Sequence, residues 1–359
     1  MLKATPLIVL LGGAVLAAQP LRPATPTDPI GLIVDALKTH SIVAFSDAHG
    51  HRELDEFEWA VVRDPRVRQL IDDIVIENGN ARFQSAVDAY VNGEAVSYEQ
   101  LHHAWHDTTQ VQTIGSLDGS IPAIYRLARE LNTSAKPPYR RMRIVLGDPP
   151  IDWASVRTAE DHRRWIEQRD VHGAEVVKRE VLAKRRHALV VYGEGHLQRR
   201  NQGANYATEG LAATVGSGIE AAAPGQLFTL WWLTDRMAPP QETDSWPAPS
   251  AALVRGTTLG ALDFTAFEEI GFRAQVAGAE ITPLPRGKWK TLKMEDQFDA
   301  VLKLPRIPSV PAAARNPSEV CADKEWVTEW IRRLSLPGGP PGGGPNAGLA
   351  QRLRETCKL

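Results

Sequence analysis

Cysteine is scarce in this chain: Cys321 and Cys357 are the only two among 359 residues. Two thiols cannot build a disulfide-dense scaffold or a four-cysteine zinc site. Both lie outside the stretch that carries the strand patterns, which argues against a cysteine–histidine nucleophile. In an oxidising compartment they tie the tail to the body, or they stay as free thiols. Spacing does not decide, because a bridge needs the two Cα atoms within about 7 Å. Excess charge is missing as well: 41 Lys and Arg face 43 Asp and Glu, a formal net charge of −2. That removes the basic field expected of a nucleic-acid partner. Beyond Leu16, no apolar run approaches the roughly 20 residues that span a bilayer. A Gly-x-Ser-x-Gly elbow and a Walker loop are also absent, which sets aside the serine-hydrolase and P-loop chemistries.

What is present is globular. A hydrophobic content of 43% supports a substantial core, and the length suits one large domain or two ordinary ones. Ten Trp is a high count beside six Tyr and eight Phe. Met1-Leu2-Lys3 supplies one positive charge, Pro6 to Leu16 is apolar, and Leu16-Ala17-Ala18-Gln19 offers small residues for cleavage. This is the pattern of a signal peptide over residues 1–19. A retained anchor fits less well, because the run is short and Gln19, Pro20 and Arg22 follow it. No Cys sits at the cleavage region, so no lipid attachment is expected. The mature chain is expected to be periplasmic or secreted. A Pro/Thr-rich linker covers 20–29, an α/β domain 30–305 and a helical extension 306–335. A Pro/Gly linker at 336–348 and a short tail at 349–359 complete the chain.

Within the domain, strand and helix patterns alternate. Helices are expected over Pro29 to Thr39, Arg52 to Val62, Ile121 to Asn132 and Ala159 to Lys184. Another helical region runs to about Thr109, with Ser97-x-x-Gln100 as a capping box. Short apolar runs mark strands at 42–45, 74–77, 142–146, 188–192, 226–233 and 298–304, with Asn78-Gly79-Asn80 read as a turn. Strands separated by helices of this length predict a three-layer α/β fold: a mostly parallel central sheet with helices on both faces.

Two of these strands end alike. Ser41-Ile-Val-Ala-Phe-Ser-Asp-Ala-His-Gly50 presents Asp47 and His49. Ala188-Leu-Val-Val-Tyr-Gly-Glu-Gly-His-Leu197 presents Glu194 and His196. Ligands bind beyond the carboxyl ends of strands in open α/β sheets, so two such ends can surround one cleft. Asp47 with Gly50 also suits a helix N-cap, but His49, Arg52 and Glu53 supply more than a cap requires. Glu77 closes the second strand and points to the same edge. Asp148 ends the third, in Gly147-Asp-Pro-Pro150, as a further acid or a turn residue. Arg169-Asp170 lies on the helix before the fourth strand. Arg199 and Arg200 follow His196 and offer anion binding or charge balance. His102 and His106 have zinc-compatible i,i+4 spacing, but no Glu follows His102, and a packed or solvated helix face accounts for them.

Taken in order, these motifs resemble the superfamily that joins erythromycin esterases, ChaN haem-binding proteins and TIKI/TraB proteins. TIKI/TraB members carry two Gly-x-x-His motifs. The second is intact here as Gly193-Glu-Gly-His196, and the first reads Ser46-Asp-Ala-His49 with Ser in place of Gly. The stretch His49-Gly-His-Arg-Glu53 and a strand ending in Glu77 are similar to the esterase branch, and the Arg169-Asp170 pair resembles both the esterase and ChaN branches. The first motif departs from the family in its acid, Asp47 standing one methylene shorter than the usual Glu. The resemblance spans residues 42–304 and, with the signal-peptide pattern, gives an exported hydrolase of an ester or amide bond, acting on a small molecule or a peptide. His49, Glu77, His196, Asp47 and Glu194 would be catalytic; Arg52, Glu53, Arg169 and Asp148 would hold substrate. His49, His196 and Glu77 are also the candidate ligands for a divalent metal. A haem- or metal-binding protein without turnover is the alternative.

Overall fold

The computed structural model describes residues 20–47, 51–110, 120–199, 214–233, 241–264, 293–305, 321, 323–338 and 345–359. The expected signal peptide, His49 and Arg200 lie outside the described residues. Seven strands form one sheet: β1 (Ile42–Asp47), β2 (Asp73–Asn80), β3 (Arg143–Asp148), β4 (Ala188–Gly193), β5 (Leu227–Trp232), β6 (Ser250–Leu253) and β7 (Ala300–Lys303). Their order is β3-β2-β4-β1-β5-β7-β6, parallel throughout except for β6 against β7.

Each central strand is apolar on both sides, as burial between two helical layers requires. Val43, Phe45, Ile74, Ile76, Leu189 and Val191 face one layer. Their alternates Ile42, Ala44, Val75, Val145, Val190 and Tyr192 face the other. The first layer contains the helices Pro29–Leu37, Arg52–Arg63, Gln84–Val91 and Ser120–Thr133. Helix Arg52–Arg63 shows why: Leu54, Phe57 and Val61 are buried, at the i, i+3, i+7 spacing of one helical stripe. The second layer holds Arg169–Val177, continued by a π-turn at Lys178–Leu182, and Val215–Ala222. The expected three-layer, mostly parallel architecture is the one found.

Several local readings change. Asn78-Gly79-Asn80 is not a turn: β2 runs on to Asn80 with a shift in its register against β3. Asn80 Nδ2 donates to the carbonyls of Asp107 (2.7 Å) and Ile151 (3.0 Å), tying this end to two loops. Gly79 is there for closeness, since a Cβ would lie 2.6 Å from the Leu146 side chain. The stretch 159–184 is not one helix. Ala159–Ile166 ends and a new helix starts at Arg169, which brings Arg169 and Asp170 to a helix start. Strand β6 has no counterpart in the sequence reading. At the C-terminal end, helices Lys324–Leu334 and Pro345–Cys357 pack through Val327, Ile331 and Leu353. The Cys321–Cys357 disulfide, which spacing left open, joins them with Cα atoms 5.1 Å apart. No helix among the described residues is long and apolar enough to cross a membrane.

Candidate functional site

Strand order positions the site. β4 inserts between β2 and β1, so the carboxyl ends of strands far apart in sequence become neighbours, the arrangement in which open α/β sheets bind ligands. Asp47 ends β1 opposite Gly193 of β4. Glu77, on β2, is buried beside them.

Glu77 is held on several sides. Its Oε2 accepts the Gly193 N–H (2.5 Å), its Oε1 accepts the Gln110 side-chain amide (2.5 Å), and the Arg169 guanidinium donates to Oε1. The glycine needs no unusual backbone: Gly193 has φ −52°, and what it supplies is a backbone N–H at close range. These donors fix the buried carboxylate in place.

His196 sits on the short helical turn Glu194–Leu197. Its Nδ1–H donates to Asp170 Oδ1 at 2.8 Å, and its Nε2 lies 3.5 Å from Glu77 Oε1. Asp170 is itself fixed, its Oδ1 also accepting the Val215 N–H at 3.0 Å. Burial alone would lower the imidazole pKa, but the Asp170 and Glu77 carboxylates outweigh it and the net direction is up.

Asp148 is fully buried. It accepts the backbone N–H and the hydroxyl of Thr109 (2.7 and 2.6 Å) and lies 3.7 Å from Arg169 Nε. Burial pushes its pKa up to about 7, against the lowering pull of Arg169 and Thr109. Beneath these groups lies Tyr192, whose hydroxyl finds no hydrogen-bond partner among the described residues. Burial and the surrounding carboxylates raise its phenol well above the usual value. Gly147 makes room for it, since a Cβ there would sit 1.8 Å from the phenol oxygen.

Of the residues singled out in the sequence, Glu77, His196, Arg169 and Asp148 therefore converge. Glu194 sits on the same turn as His196 but accepts a bond from Trp231 Nε1 (3.1 Å), toward β5. Asp47 reaches the edge by its backbone register. Glu53 lies near His51 (3.6 Å), at the start of the helix after β1. Arg52 is solvent-exposed and pairs with Glu56 at 2.7 Å, one turn along its own helix. His49 lies outside the described residues. Arg199 does not balance the cleft acids; it pairs with Asp299 and donates to the Leu227 carbonyl at the start of β5. His106 is a packed residue, its ring stacked on Trp326 at 4.3 Å. Asp170, Thr109, Gln110 and Tyr192 are the members missing from the candidate set. The Arg169-Asp170 pair was the one local sign, and nothing in the sequence near Thr109 marks it.

A metal does not fit this half of the site. Both Glu77 oxygens are engaged by donors, one of them the Arg169 guanidinium. No three His, Cys, Asp or Glu side chains among the described residues form a metal-holding group.

No family model and no curated protein matches the chain. Solved structures are similar to it. A Bacillus cereus protein shares 11% identity at a TM-score of 0.50, covering 79% of this chain and 94% of that one. The erythromycin esterase EreC, in an open conformation, shares 12% at 0.48, covering 78% and 94%. A succinoglycan biosynthesis protein shares 8% at 0.46, covering 78% and 94%. At such identities the likeness concerns the fold alone.

Proposed function

We propose that this chain is an exported hydrolase that cleaves an ester or amide bond with water activated by His196. The observation that carries the reading is the buried imidazole gripped at Nδ1 by Asp170, with Nε2 directed toward the Glu77–Arg169 pair. Asp170 fixes the tautomer that leaves Nε2 as the proton acceptor, and it stabilises the imidazolium once the proton arrives. A raised imidazole pKa makes His196 a stronger base, one that works above its own titration. Arg169 supplies positive charge beside the place where a tetrahedral oxyanion would develop. Asp47 ends β1 opposite Gly193 and so brings the chain of the first motif to the same sheet edge. Export is supported by the N-terminal apolar pattern and by the disulfide, a bond that persists in oxidising compartments.

A panel of small esters and amides tests the reading, with purified wild type beside His196→Ala and Glu77→Gln. Turnover by wild type, reduced about 10²–10⁴-fold in His196→Ala, is expected. Equal rates in wild type and His196→Ala would discard it. Turnover that survives in both variants but vanishes with a chelator would move the chemistry to a metal. A Soret band on adding haem, without turnover, would favour a binding protein.

A further inference from the structure

Arg333 lies on the C-terminal helix Lys324–Leu334, far from the sheet edge in sequence, yet its side chain is almost fully buried. Its Nη1 donates to the His106 carbonyl (2.8 Å), its Nη2 to Asp107 Oδ1 (2.5 Å) and its Nε to Glu329 Oε1 (2.7 Å). The guanidinium lies 4.4 Å from the Trp153 ring centre and 4.9 Å from that of Trp326. Planar stacking and a donor fork of this kind are properties of Arg that Lys does not reproduce.

The chain that Arg333 grips continues directly into the site. Two and three residues after Asp107 come Thr109 and Gln110, the donors to Asp148 and Glu77. Other groups hold the same stretch: Trp153 Nε1 donates to the Thr108 carbonyl (3.1 Å) and His162 Nε2 to that of Thr109 (2.7 Å). Neighbouring Arg332 anchors the helix to the Trp153 and Val156 carbonyls (3.1 and 3.0 Å).

We propose that Arg333 is a positioning residue of the active site: through Asp107 and the His106 carbonyl it sets the segment 106–110, so that Thr109 meets Asp148 and Gln110 meets Glu77. The C-terminal helical pair is thereby a working part of the site. This inference rests on the hydrolase reading for its kinetic consequence, but its structural core does not.

The test has two arms. In the first, amide hydrogen exchange is measured at Thr109 and at Val190 of β4, in wild type and Arg333→Gln. Exchange at Thr109 should rise at least tenfold while Val190 stays protected. Unchanged protection at Thr109 overturns the proposal, whether or not any substrate is found. Should Arg333→Gln fail to fold, Asp107→Asn takes its place, with the same expectation and the same refuting result. In the second arm, Arg333→Gln should lower kcat on the best ester of the panel about tenfold with KM little changed. In a Thr109→Val/Gln110→Ala background the same change should cost less than twofold. Equal losses in both backgrounds overturn the proposal. A wild type inactive on every ester counts against the hydrolase reading alone, and the exchange arm then decides this one.

Discussion

Replacing Asp170 by Asn probes the feature on which the site depends. The substitution keeps size, and Oδ1 can still accept from His196 Nδ1 and Val215 N–H, 2.8 and 3.0 Å away in wild type; what disappears is the charge. Hydrogen bonds to charged partners contribute about 1.5–3 kcal/mol and neutral ones about 0.5–1.5, so the loss should be about 1–2 kcal/mol when the imidazole is protonated. The sign in pH follows from the direction of the shift. The folded pKa of His196 is raised, so its contribution is fully present below the unfolded value, about 6.5. It fades as pH climbs through the higher folded value. Denaturant unfolding of wild type and Asp170→Asn should therefore differ most near pH 5.5 and least near pH 9. The His196 Cε1–H resonance should titrate at lower pH in the variant, where burial is opposed by Glu77 alone of the two carboxylates. Turnover should fall about 10²-fold or more. A stability difference independent of pH, with an unmoved His196 titration, would refute the electrostatic account.

Four other outcomes follow. Asp148 has a folded pKa of about 7, above its unfolded value of about 3.9. Wild-type stability should therefore decline from about pH 4 to 7 with a slope from this group of up to about 1.4 kcal/mol per pH unit, and the urea midpoints of Asp148→Asn should lack that component. Gly147→Ala forces a Cβ to 1.8 Å from the Tyr192 hydroxyl and 2.9 Å from the Ile76 carbonyl, so a loss of about 1–3 kcal/mol or more is expected in thermal unfolding. Tyr192→Phe alone should be near neutral, because the hydroxyl it removes has no partner among the described residues. Cys321→Ser opens a loop with a sequence separation of 36, which the chain-entropy account equates to about 3.5–4 kcal/mol. Limited proteolysis should then cut first near helix Pro345–Cys357.

What could be read without coordinates was what local chemistry encodes. The runs Ile42–Phe45 and Ala188–Tyr192 are apolar at every position, and only a strand buried on both faces wants that. Glu77 and His196 stood out because a charged group directly after such a run has few places to go. Asp170 was visible only as half of a charged pair, since its role depends on the chain breaking between Ile166 and Arg169 and restarting toward the cleft. Gln110 and Thr109 carry no local sign, because they matter through Asp107, Asn80 and Arg333, contacts made across up to 227 positions. Strand β6 was missed for a related reason: four residues at the sheet edge, Ser-Ala-Ala-Leu, have a pattern too short to separate from a loop. Arg52 directly follows the first motif, and the helix that begins there turns its side chain to solvent and to Glu56.

The placement of Arg169 also bears on the choice between metal and proton chemistry in the described half of the site. In the sequence, Glu77 with two histidines reads equally as a ligand set or as an acid–base set, since both use carboxylates and imidazoles. Among the described residues, what surrounds the carboxylate favours the acid–base set. A guanidinium fixed between Glu77 and Asp148 neutralises charge that a cation would otherwise neutralise, and the Gly193 N–H and Gln110 amide occupy further acceptor positions on Glu77. With that charge already balanced, the mobile charges left among these groups are the protons of His196 and Asp148. Both pKa values are shifted upward, His196 by Asp170 and Glu77 against burial and Asp148 by burial itself, so if the proposed hydrolase is active the pH dependence of its turnover should report both groups, and Asp170→Asn should move the His196 limb alone.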